Sequence, residues 1–414
     1  MVETLRSLRQ KASLELEKNL LPFWLKYARD DGKKGFTGRL SNNLVREPAS
    51  KGLVLHARLL WTFSSLFQFN SDLRCLKLAQ ECYAYIYTYF LDPECGGAYW
   101  SLSAEGRPED MQKKTYGQVF LIYAMSEYYK CCPNPSILTQ CSELFLKLER
   151  YALDQENLGY FEVCRRDWTV AEDQRLSDKD MDEKKSMNTH LHLLEAFTNL
   201  YSIWKDDLLK RRLIMLLEIF REKIIQPETG HFGLFFNDAW GLRSRGISFG
   251  HEIEASWLIC EAAKVLDDSE MLTQYEYIGG MLAEGAYTGG LDALGGLNYE
   301  INEQGVLDTD KHFWAQAEAA VGFLNAWEMT CQDEYLETAM TTWDFIQNHL
   351  VDKKYGEWFW KVNRTGVPDY DQPKISDWKC PYHNMRACME IVKRIDMLLV
   401  QHGQQKDSST YGKV

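Results

Sequence analysis

The chain has 414 residues and a formal net charge of −13 at pH 7, and it contains no long basic run. Its length allows a large hydrophobic core, and its charge argues against nucleic acid or an anionic membrane surface as a partner. The N-terminal segment lacks the apolar block of a signal peptide, and no apolar run is long enough to span a bilayer. The eleven cysteines are scattered and do not pair at regular spacing, which favours reduced thiols in the cytoplasm, and no pair spaced by two residues exists to hold zinc.

Short segments that combine glycine with aromatic residues recur every 60 to 71 residues. Each has the composition of a tight turn that enters a short strand or hairpin. A regular recurrence over such a period indicates a repeat architecture. The marker glycines of the six segments are Gly35, Gly97, Gly159, Gly230, Gly296 and Gly356.

Two helical patterns of roughly twenty residues lie between successive segments. One further helix before the first segment and one after the last bring the predicted number to twelve. The predicted helices span residues 4–27, 52–69, 72–90, 113–131, 135–151, 186–204, 207–225, 248–266, 269–284, 312–330, 333–350 and 381–401.

Twelve helices in six pairs either stack into a solenoid or close into a ring. A solenoid needs polar capping faces at its ends, whereas the first and last helices here carry a full apolar stripe, as if they pack on each other. The pattern therefore predicts an all-α fold, an (α/α)6 barrel of six inner and six outer helices with short β-hairpins between pairs. Residues 1–402 form this single catalytic domain, and the polar segment 403–414 is predicted to be a disordered tail.

One helix of each pair begins with polar or aromatic residues that a packed core would not select. Ser186 is a plausible N-cap for one such helix, on which Asn188 and His192 lie four residues apart and share a face. If the six inner helices start at one end of the barrel, their polar positions converge there into a ligand site. The six positions predicted to be equivalent are Arg58, Gln118, His192, Glu254, Glu318 and Arg386.

Three histidines occur at matching helix starts: His192, His251 and His383. Histidine has the unperturbed pKa that suits acid–base work near neutrality, although each of these could also be a hydrogen-bonded core residue. The segment at His251 resembles the start of a zincin motif, but Ala255 stands where the second histidine must be. We therefore predict acid–base chemistry without a metal.

Two tryptophans, Trp314 and Trp378, lie at the starts of the fifth and sixth inner helices. Tryptophan is most often a core residue, but beside a polar funnel it can also stack on the apolar face of a sugar ring. The acidic run 172–185 leads straight into the third inner helix, so we expect it to rim the cleft. Asp180 is the residue of that loop that we single out for substrate binding.

At these helix starts the sequence resembles the N-acylglucosamine 2-epimerase superfamily, and within it most closely the bacterial cellobiose 2-epimerases. The resemblance runs from about residue 10 to residue 400 and is carried by several long motifs. The matching motifs are HARLLWTFS, KTYGQVF, SMNTHLHLLEA, SFGHEIEASWL, FWAQAEAAVGFLNA, GEWFW and WKCPYHNMRACME.

The resemblance implies an (α/α)6 barrel that reversibly epimerises C2 of the reducing-end glucose of a β-1,4-linked disaccharide such as cellobiose or lactose, without a cofactor. It implies that Arg58 and His192 are catalytic and that His251 and His383 form the acid–base pair. Arg58 and His192 would supply cationic or donor groups to the enediolate oxygens. Tyr116, Asn188, Glu254, Trp314 and Trp378 match substrate-contacting positions. Two departures, Phe313 for a second tryptophan and Glu252 for an aspartate, leave the identity of the outer sugar in doubt.

Other functions fit the residue types. An aldose–ketose isomerase or an N-acylglucosamine 2-epimerase could use the same barrel, and a glycosidase could use Glu254 and Glu318 as its carboxylate pair. A non-catalytic sugar- or protein-binding module would keep the pocket but not the histidines. We expect a disaccharide as the ligand, no nucleic-acid or membrane partner, and a monomer or weak homodimer.

Overall fold

The computed structural model describes residues 1–30 and 35–411 of the chain, with side chains to residue 401. The helices in this part form twelve rods, here called α1 to α12. Rod α1 comprises Val2–Glu15, a π-helical stretch Leu16–Leu20 and a last segment Leu21–Tyr27. Three other rods end in a π-helical turn, namely α3 (Leu73–Tyr85, Ile86–Phe90), α7 (Asp207–Ile219, Phe220–Ile224) and α11 (Asp333–Phe345, Ile346–Leu350). The remaining rods are α2 (Leu53–Asn70), α4 (Thr115–Cys131), α5 (Pro135–Tyr151), α6 (Met187–Ile203), α8 (Phe249–Val265), α9 (Ser269–Gly290), α10 (Phe313–Thr330) and α12 (Tyr382–Tyr411).

Six rods form an inner set that is buried almost all round. In α2, for example, every residue from Leu53 to Leu66 is buried, which is typical of a helix surrounded by other helices. Along the chain, α2, α4, α6, α8, α10 and α12 each pack on the next, and α12 packs on α2. The inner helices therefore form a closed ring and not an open solenoid.

The other six rods lie outside this ring, each packed on one inner helix, and α1 packs on α12. Four outer helices begin at an Asp or Asn whose side chain accepts a hydrogen bond from the first helical turn, which is a favourable N-cap. These caps are Asp72, Asn134, Asp206 and Asp268. The first and last helices thus form the sixth pair, and the predicted all-α class is confirmed.

Short antiparallel sheets connect the repeats, and here the prediction of local hairpins was incomplete. The strand before an inner helix pairs with a strand that follows the next outer helix, about fifty residues on. The strands are β1 (Lys51–Gly52), β2 (Ser101–Leu102), β3 (Pro108–Asp110), β4 (Lys113–Lys114), β5 (Val163–Cys164), β6 (Lys185–Ser186), β7 (Phe235–Phe236), β8 (Ile247–Ser248), β9 (Glu300–Ile301), β10 (Leu307–Asp308), β11 (Lys311–His312) and β12 (Lys361–Val362). Their order is β1-β2-β3, β4-β5, β6-β7, β8-β9-β10 and β11-β12, so β2-β3 and β9-β10 are the two hairpins with named strands.

These cross-repeat sheets fix where each inner helix begins. The first amide of the helix has no partner within the helix and must find one elsewhere. In α2 the amide of Leu53 donates to the carbonyl of Trp100 at 2.9 Å, and in α4 the amide of Thr115 donates to the carbonyl of Glu162 at 2.8 Å. The starts of the inner helices are therefore tied to the turns at one end of the ring.

A buried lysine strengthens most of these connections. Lys113 and Lys185 lie in the strands before α4 and α6 and pair with Asp92 (3.0 Å) and Asp154 (2.7 Å). The repeat before α8 has Ile247 in the lysine position and Gln226 in place of the aspartate, so both members of the pair are changed together.

No helix in the described part of the chain is long and apolar enough to cross a membrane. The backbone of α12 runs to Tyr411, and residues 412–414 of the predicted tail lie outside the described residues. The boundary between domain and tail stays a prediction.

Candidate active site

The inner helices bring one layer of side chains together inside the ring. The Arg58 guanidinium lies 4.4 Å from the centre of the Phe120 ring, and that ring lies 4.7 Å from the His192 ring. Arg386 Nη2 donates to Glu254 at 2.8 Å and to Glu318 at 2.7 Å. The layer therefore consists of Arg58, Phe120, His192, Glu254, Glu318 and Arg386.

Gln118 does not belong to this layer, so its predicted equivalence was wrong. Its side-chain amide bonds both the amide and the carbonyl of Ala98 at 2.9 Å. Two residues along an α-helix turn the side chain by about 200°, so Gln118 and Phe120 face opposite ways. In register, Gln118 matches His190 and Gln316, which hold the turns at Tyr160 and Leu297 in the same manner. This second set of residues is structural.

Arg386 is the centre of a buried charged network. It is 2% exposed and bonds three carboxylates, those of Glu195, Glu254 and Glu318, as well as the hydroxyl of Tyr382. Burial, followed by the charge of Glu318, raises the pKa of the Glu254 carboxyl well above its usual range. The positive charge of Arg386 thus stabilises three carboxyl groups at a buried site shielded from water, where electrostatic interactions are strong.

Each of the three predicted catalytic histidines is anchored through Nδ1. His192 Nδ1 bonds Glu195 at 2.9 Å, His251 Nδ1 bonds the Ser248 hydroxyl at 2.7 Å, and His383 Nδ1 bonds Glu318 at 2.7 Å. The Nε2 atoms of these three rings have no hydrogen-bond partner among the described residues. An oriented imidazole with one free nitrogen is the arrangement that acid–base catalysis needs.

The other buried histidines of the inner helices are different. His190 uses both ring nitrogens, Nδ1 on the carbonyl of Ser186 and Nε2 on the amide of Tyr160. His56 Nδ1 bonds the carbonyl of Gly52. Both nitrogens of His190 are therefore engaged with the backbone. His56 Nε2 has no partner among the described residues, but its ring packs on Tyr85 and Phe90 of the outer helix α3 and not in the layer around Arg386.

Burial keeps the site histidines uncharged near neutral pH. It lowers the pKa of His251 to about 3, with His192 and Arg58 adding repulsion. Burial and the nearby Arg58 and Arg386 lower the pKa of His383 well below its usual range. Burial also lowers the pKa of His192, although the hydrogen bond to Glu195 acts in the opposite direction. All three rings are therefore able to accept a proton.

His251 and His383 lie against the same indole. The Trp314 ring centre is 4.8 Å from that of His251 and 5.7 Å from that of His383. Since His251 is on α8, Trp314 on α10 and His383 on α12, the two histidines approach from either side of the helix between them. The structure thus brings together the two predicted members of the acid–base pair.

Arg58 provides a positive charge that no carboxylate neutralises among the described residues. Its Nη2 donates to the Tyr116 hydroxyl at 3.0 Å, and its guanidinium lies over the rings of Phe120 and Tyr382. Its Nε is buried without a partner. An arginine held by aromatic faces remains available to an anionic oxygen.

Tyr116, Asn188 and Trp378 continue the site toward the starts of the inner helices. The Tyr116 ring is 5.0 Å from His192 and 5.8 Å from Trp378. Asn188 Oδ1 is buried with no partner, and a buried orphan acceptor in a ligand site commonly pairs with the ligand. Trp378 lies 6.3 Å from Trp100.

A cavity of about 250 Å³ opens beside these tryptophans. Its polar lining includes Lys114, Ser177, Asp178 and Asp377. The acidic loop therefore does reach the rim of the cavity. Asp180, however, uses its carboxylate within the loop, where the amide and the hydroxyl of Ser177 both donate to it at 2.8 Å. Its predicted role in substrate binding stays a prediction.

One group of side chains has metal-ligand composition. Ligand atoms of Glu254, Glu318 and His383 lie within 4.8 Å of one another. Arg386 already donates to both carboxylates, so a cation could enter only if the guanidinium moved. The expectation of a reaction without metal or cofactor stays a prediction.

The sequence analysis missed several residues of the site. Phe120 could have been found by aligning the helix starts at a constant offset. Glu195 lies three residues after His192 and shares its helix face, which was a usable signal. Tyr382 lies four residues before Arg386 on the same helix and bonds it, so it carried the same kind of signal. Trp100 carried none, because only packing between repeats brings it beside Trp378.

The sequence profile of the N-acylglucosamine 2-epimerase (GlcNAc 2-epimerase) family matches residues 35–387. A cellobiose 2-epimerase of Bacteroides fragilis is 40% identical over 387 residues, covering 93% of this chain and 98% of the relative. The solved structure of the cellobiose 2-epimerase from Bacillus thermoamylovorans superposes with a TM-score of 0.89 at 35% identity, covering 94% of this chain and all of that one. A D-mannose isomerase structure superposes with a TM-score of 0.81 at 21% identity, covering 94% and 97% of the two chains, and so shares the fold.

Proposed function

The chain belongs to the N-acylglucosamine 2-epimerase family, and on this basis we propose that it inverts C2 of the reducing-end glucose of β-1,4-linked disaccharides. Cellobiose would give glucosyl-mannose, and lactose would give epilactose. Its relatives named cellobiose 2-epimerase match nearly the full chain, which supports a disaccharide as the substrate. We infer further that the closed ring of helix pairs is an (α/α)6 barrel.

Inversion at C2 of an aldose requires that the sugar ring open first, because only the free aldehyde makes the C2 proton acidic enough to remove. A base then takes that proton and leaves an enediolate. An acid returns a proton to C2 from the opposite face. The chemistry needs two proton-transfer groups on different sides of the sugar and a positive group near the enediolate oxygens.

The observation that carries the proposal is the placement of His251 and His383 on either side of Trp314, each with a free Nε2. One imidazole would remove the C2 proton and the other would return one, and the roles would exchange in the reverse reaction. Each such group contributes on the order of 10²–10⁴ in rate.

Arg58 is the group that suits the enediolate oxygens, because its charge is not neutralised by a carboxylate in the described part of the chain. Removing one donor of this kind costs about 2.7–4 kcal/mol of transition-state stabilisation. Trp314 and Trp378 offer apolar faces to the two sugar rings, and Asn188 Oδ1 offers an acceptor to a hydroxyl.

The test is incubation with cellobiose, lactose, mannobiose and N-acetylglucosamine in D₂O, followed by chromatographic separation and NMR. We expect epimers of the disaccharides that carry deuterium at C2, because an imidazole proton exchanges readily with water. Reaction of N-acetylglucosamine alone would contradict the substrate class. Full retention of protium at C2 would contradict the two-histidine scheme.

The glycosidase alternative fits the geometry poorly. Glu254 and Glu318 are almost fully buried and share one guanidinium nitrogen of Arg386. An inverting glycosidase needs about 6.5–9.5 Å between its carboxylates to admit a water, and ligand atoms of this pair lie within 4.8 Å. A retaining glycosidase, with about 5–5.5 Å, needs one carboxylate free to attack the sugar, and Arg386 donates to both. An aldose–ketose isomerase would reprotonate at C1, and the same product analysis would detect the ketose.

We also propose that the protein acts in the cytoplasm as a monomer or weak homodimer. All eleven cysteines lie in the described part of the chain as free thiols, which is consistent with a reducing compartment. Size-exclusion chromatography with light scattering over a range of concentrations measures the oligomeric state.

A further inference from the structure

Glu195 lies directly beneath the candidate active site and takes no part in the proton transfers of the proposed reaction. It is on α6, one helical turn after His192, and it is 5% exposed. Its Oε2 bonds His192 Nδ1 at 2.9 Å, while Tyr382 and Arg386 both donate to its Oε1. Each hydrogen-bond partner of this carboxylate is therefore a residue of the candidate active site.

The environment of Glu195 keeps it ionised. Burial is the largest single influence and by itself would raise the pKa of this carboxyl, but the charge of Arg386 and the hydrogen bonds from His192 and Tyr382 together outweigh it and hold the pKa at about 2. An ionised carboxylate has no proton to donate and only accepts hydrogen bonds. The hydrogen in the bond between Glu195 and His192 must therefore sit on His192 Nδ1.

The hydrogen bond between His192 Nδ1 and Glu195 determines whether His192 Nε2 donates or accepts a hydrogen bond with a ligand. A neutral imidazole carries its proton on one nitrogen and a lone pair on the other. With Nδ1 protonated, Nε2 has the lone pair, and Nε2 is the atom without a partner among the described residues. We propose that Glu195 is a positioning residue that fixes His192 as a hydrogen-bond acceptor for a sugar hydroxyl.

The proposal rests on the proposed epimerase function and changes one part of it. The sequence analysis expected His192 to act with Arg58 as a donor to the enediolate oxygens. An acceptor Nε2 instead fits a hydroxyl that the substrate presents throughout the reaction. The donor function then falls to Arg58 alone.

The direct test is the tautomer of His192 in the unmodified protein. The chain has nine histidines, so labelling with ¹⁵N-histidine gives a small set of ring signals, and the His192→Gln variant identifies the pair that belongs to His192. At pH 7.5 we expect a protonated Nδ1 and an unprotonated Nε2. A protonated Nε2, in either the neutral or the charged ring, would overturn the proposal.

The functional test is Glu195→Gln assayed with cellobiose. The amide can also donate to Nδ1 and so permits the other tautomer, and we expect kcat/KM to fall by about 10²-fold or more. Because the Glu195 carboxylate raises the pKa of His192, its loss is also expected to move the acid limb of the pH profile to lower pH. A merely structural role would lower activity without moving that limb.

Glu127→Gln is the matched control. Glu127 lies on α4 and lines, together with Glu195, a cavity of about 370 Å³ at the far end of the ring. It accepts hydrogen bonds from Gln68, Lys130 and Asn199, none of which belongs to the site. We expect this variant to stay within about twofold of the wild-type kcat/KM.

The outcomes separate this inference from the proposed function. If the wild-type protein turns over no disaccharide, the proposed function fails, whereas the NMR measurement still reports on Glu195 and His192. If cellobiose reacts but Glu195→Gln stays within threefold of wild type, the positioning role fails alone. Should Glu195→Gln not fold, the wild-type tautomer still decides.

Discussion

At the scale of single residues, the candidate site contains several polar atoms that have no hydrogen-bond partner among the described residues. The free Nε2 atoms of His251 and His383, the orphan Oδ1 of Asn188 and the orphan Nε of Arg58 all lie in one region. Leaving a buried polar atom unpaired costs about 1–3 kcal/mol. Several unpaired polar atoms in one place are therefore expected where a bound ligand forms hydrogen bonds with them.

The pair of histidines makes a specific prediction. His251→Ala and His383→Ala are each expected to abolish epimerisation of cellobiose while leaving the fold intact by circular dichroism. A variant that keeps one base is expected to wash deuterium from D₂O into the unreacted substrate without making the epimer. His349→Ala, on the outer helix α11, is the control and is expected to keep full activity. Epimerisation by either site variant at more than about a hundredth of the wild-type rate would contradict the assignment.

Trp378 makes a prediction about binding. It is half-buried between Trp100 and Tyr116, so Trp378→Ala is expected to raise KM for cellobiose by removing a stacking face, with a loss of about 0.5–1.5 kcal/mol beyond area burial. Steady-state kinetics and thermal unfolding together check it. A variant that unfolds would show that Trp378 is a core residue.

At the scale of secondary-structure elements, the inner helices α4, α6 and α10 each have two functional faces. One face contributes to the layer around Arg386, and the face two residues away holds a turn of the neighbouring repeat through Gln118, His190 or Gln316. The same helix start therefore carries both residues of the candidate site and structural support. This explains why a histidine in one position serves the site while His190, two residues before His192, does not.

His190, on the structural face of α6, is expected to make the folding stability depend on pH. Burial lowers the pKa of His190 to about 3 in the folded state, against about 6.5 unfolded. Between these values the unfolded chain binds the extra proton, so folding stability falls as the pH drops below about 6.5, by about 1.4 kcal/mol per pH unit for this group.

His190→Gln introduces the residue that α4 and α10 use at the equivalent position. At pH 7.5 we expect its unfolding free energy to be within about 1 kcal/mol of wild type. At pH 5 we expect the variant to lose about 2 kcal/mol less than wild type. Urea unfolding at the two pH values measures both quantities. An unchanged pH dependence would mean that His190 is already protonated in the folded protein.

At the scale of the whole molecule, closure of the ring is the decisive feature. The first helix packs on the last, and Glu15 of α1 bonds Trp358 and Gln347, more than 330 residues away along the chain. Since α12 carries His383 and Arg386, the N-terminal helix supports the helix that holds two residues of the candidate active site. An open array of the same repeats would leave α12 with one bare side.

Two leucines of α1 test this closure. Leu8 is 1% exposed and Leu14 is 47% exposed on the same helix. Leu8→Ala is expected to cost about 2–5 kcal/mol of folding free energy, and Leu14→Ala is expected to cost less than about 0.5 kcal/mol. Denaturant unfolding followed by tryptophan fluorescence measures both, and equal effects would contradict the packing of α1 on α12.

The sequence by itself determined the twelve helices and their pairing and pointed to three candidate site histidines, because these depend on local signals: apolar periodicity, turn glycines and polar helix starts. It also supplied the family through motifs that extend over nearly the whole chain. What it misplaced was Gln118, since the helix start was aligned by residue type and not at a constant offset.

Only the tertiary structure decided the partners of the charged groups. Arg386 meets Glu195 across 191 residues of sequence and Glu254 across 132, and strand β1 pairs with β2 of the following repeat rather than within a local hairpin. A local pattern cannot specify these contacts, because they exist only after the ring has closed and brought distant helix starts to one end. The bond between Tyr382 and Glu195 and the place of Trp100 beside Trp378 follow from that closure, which is why the sequence could not predict them.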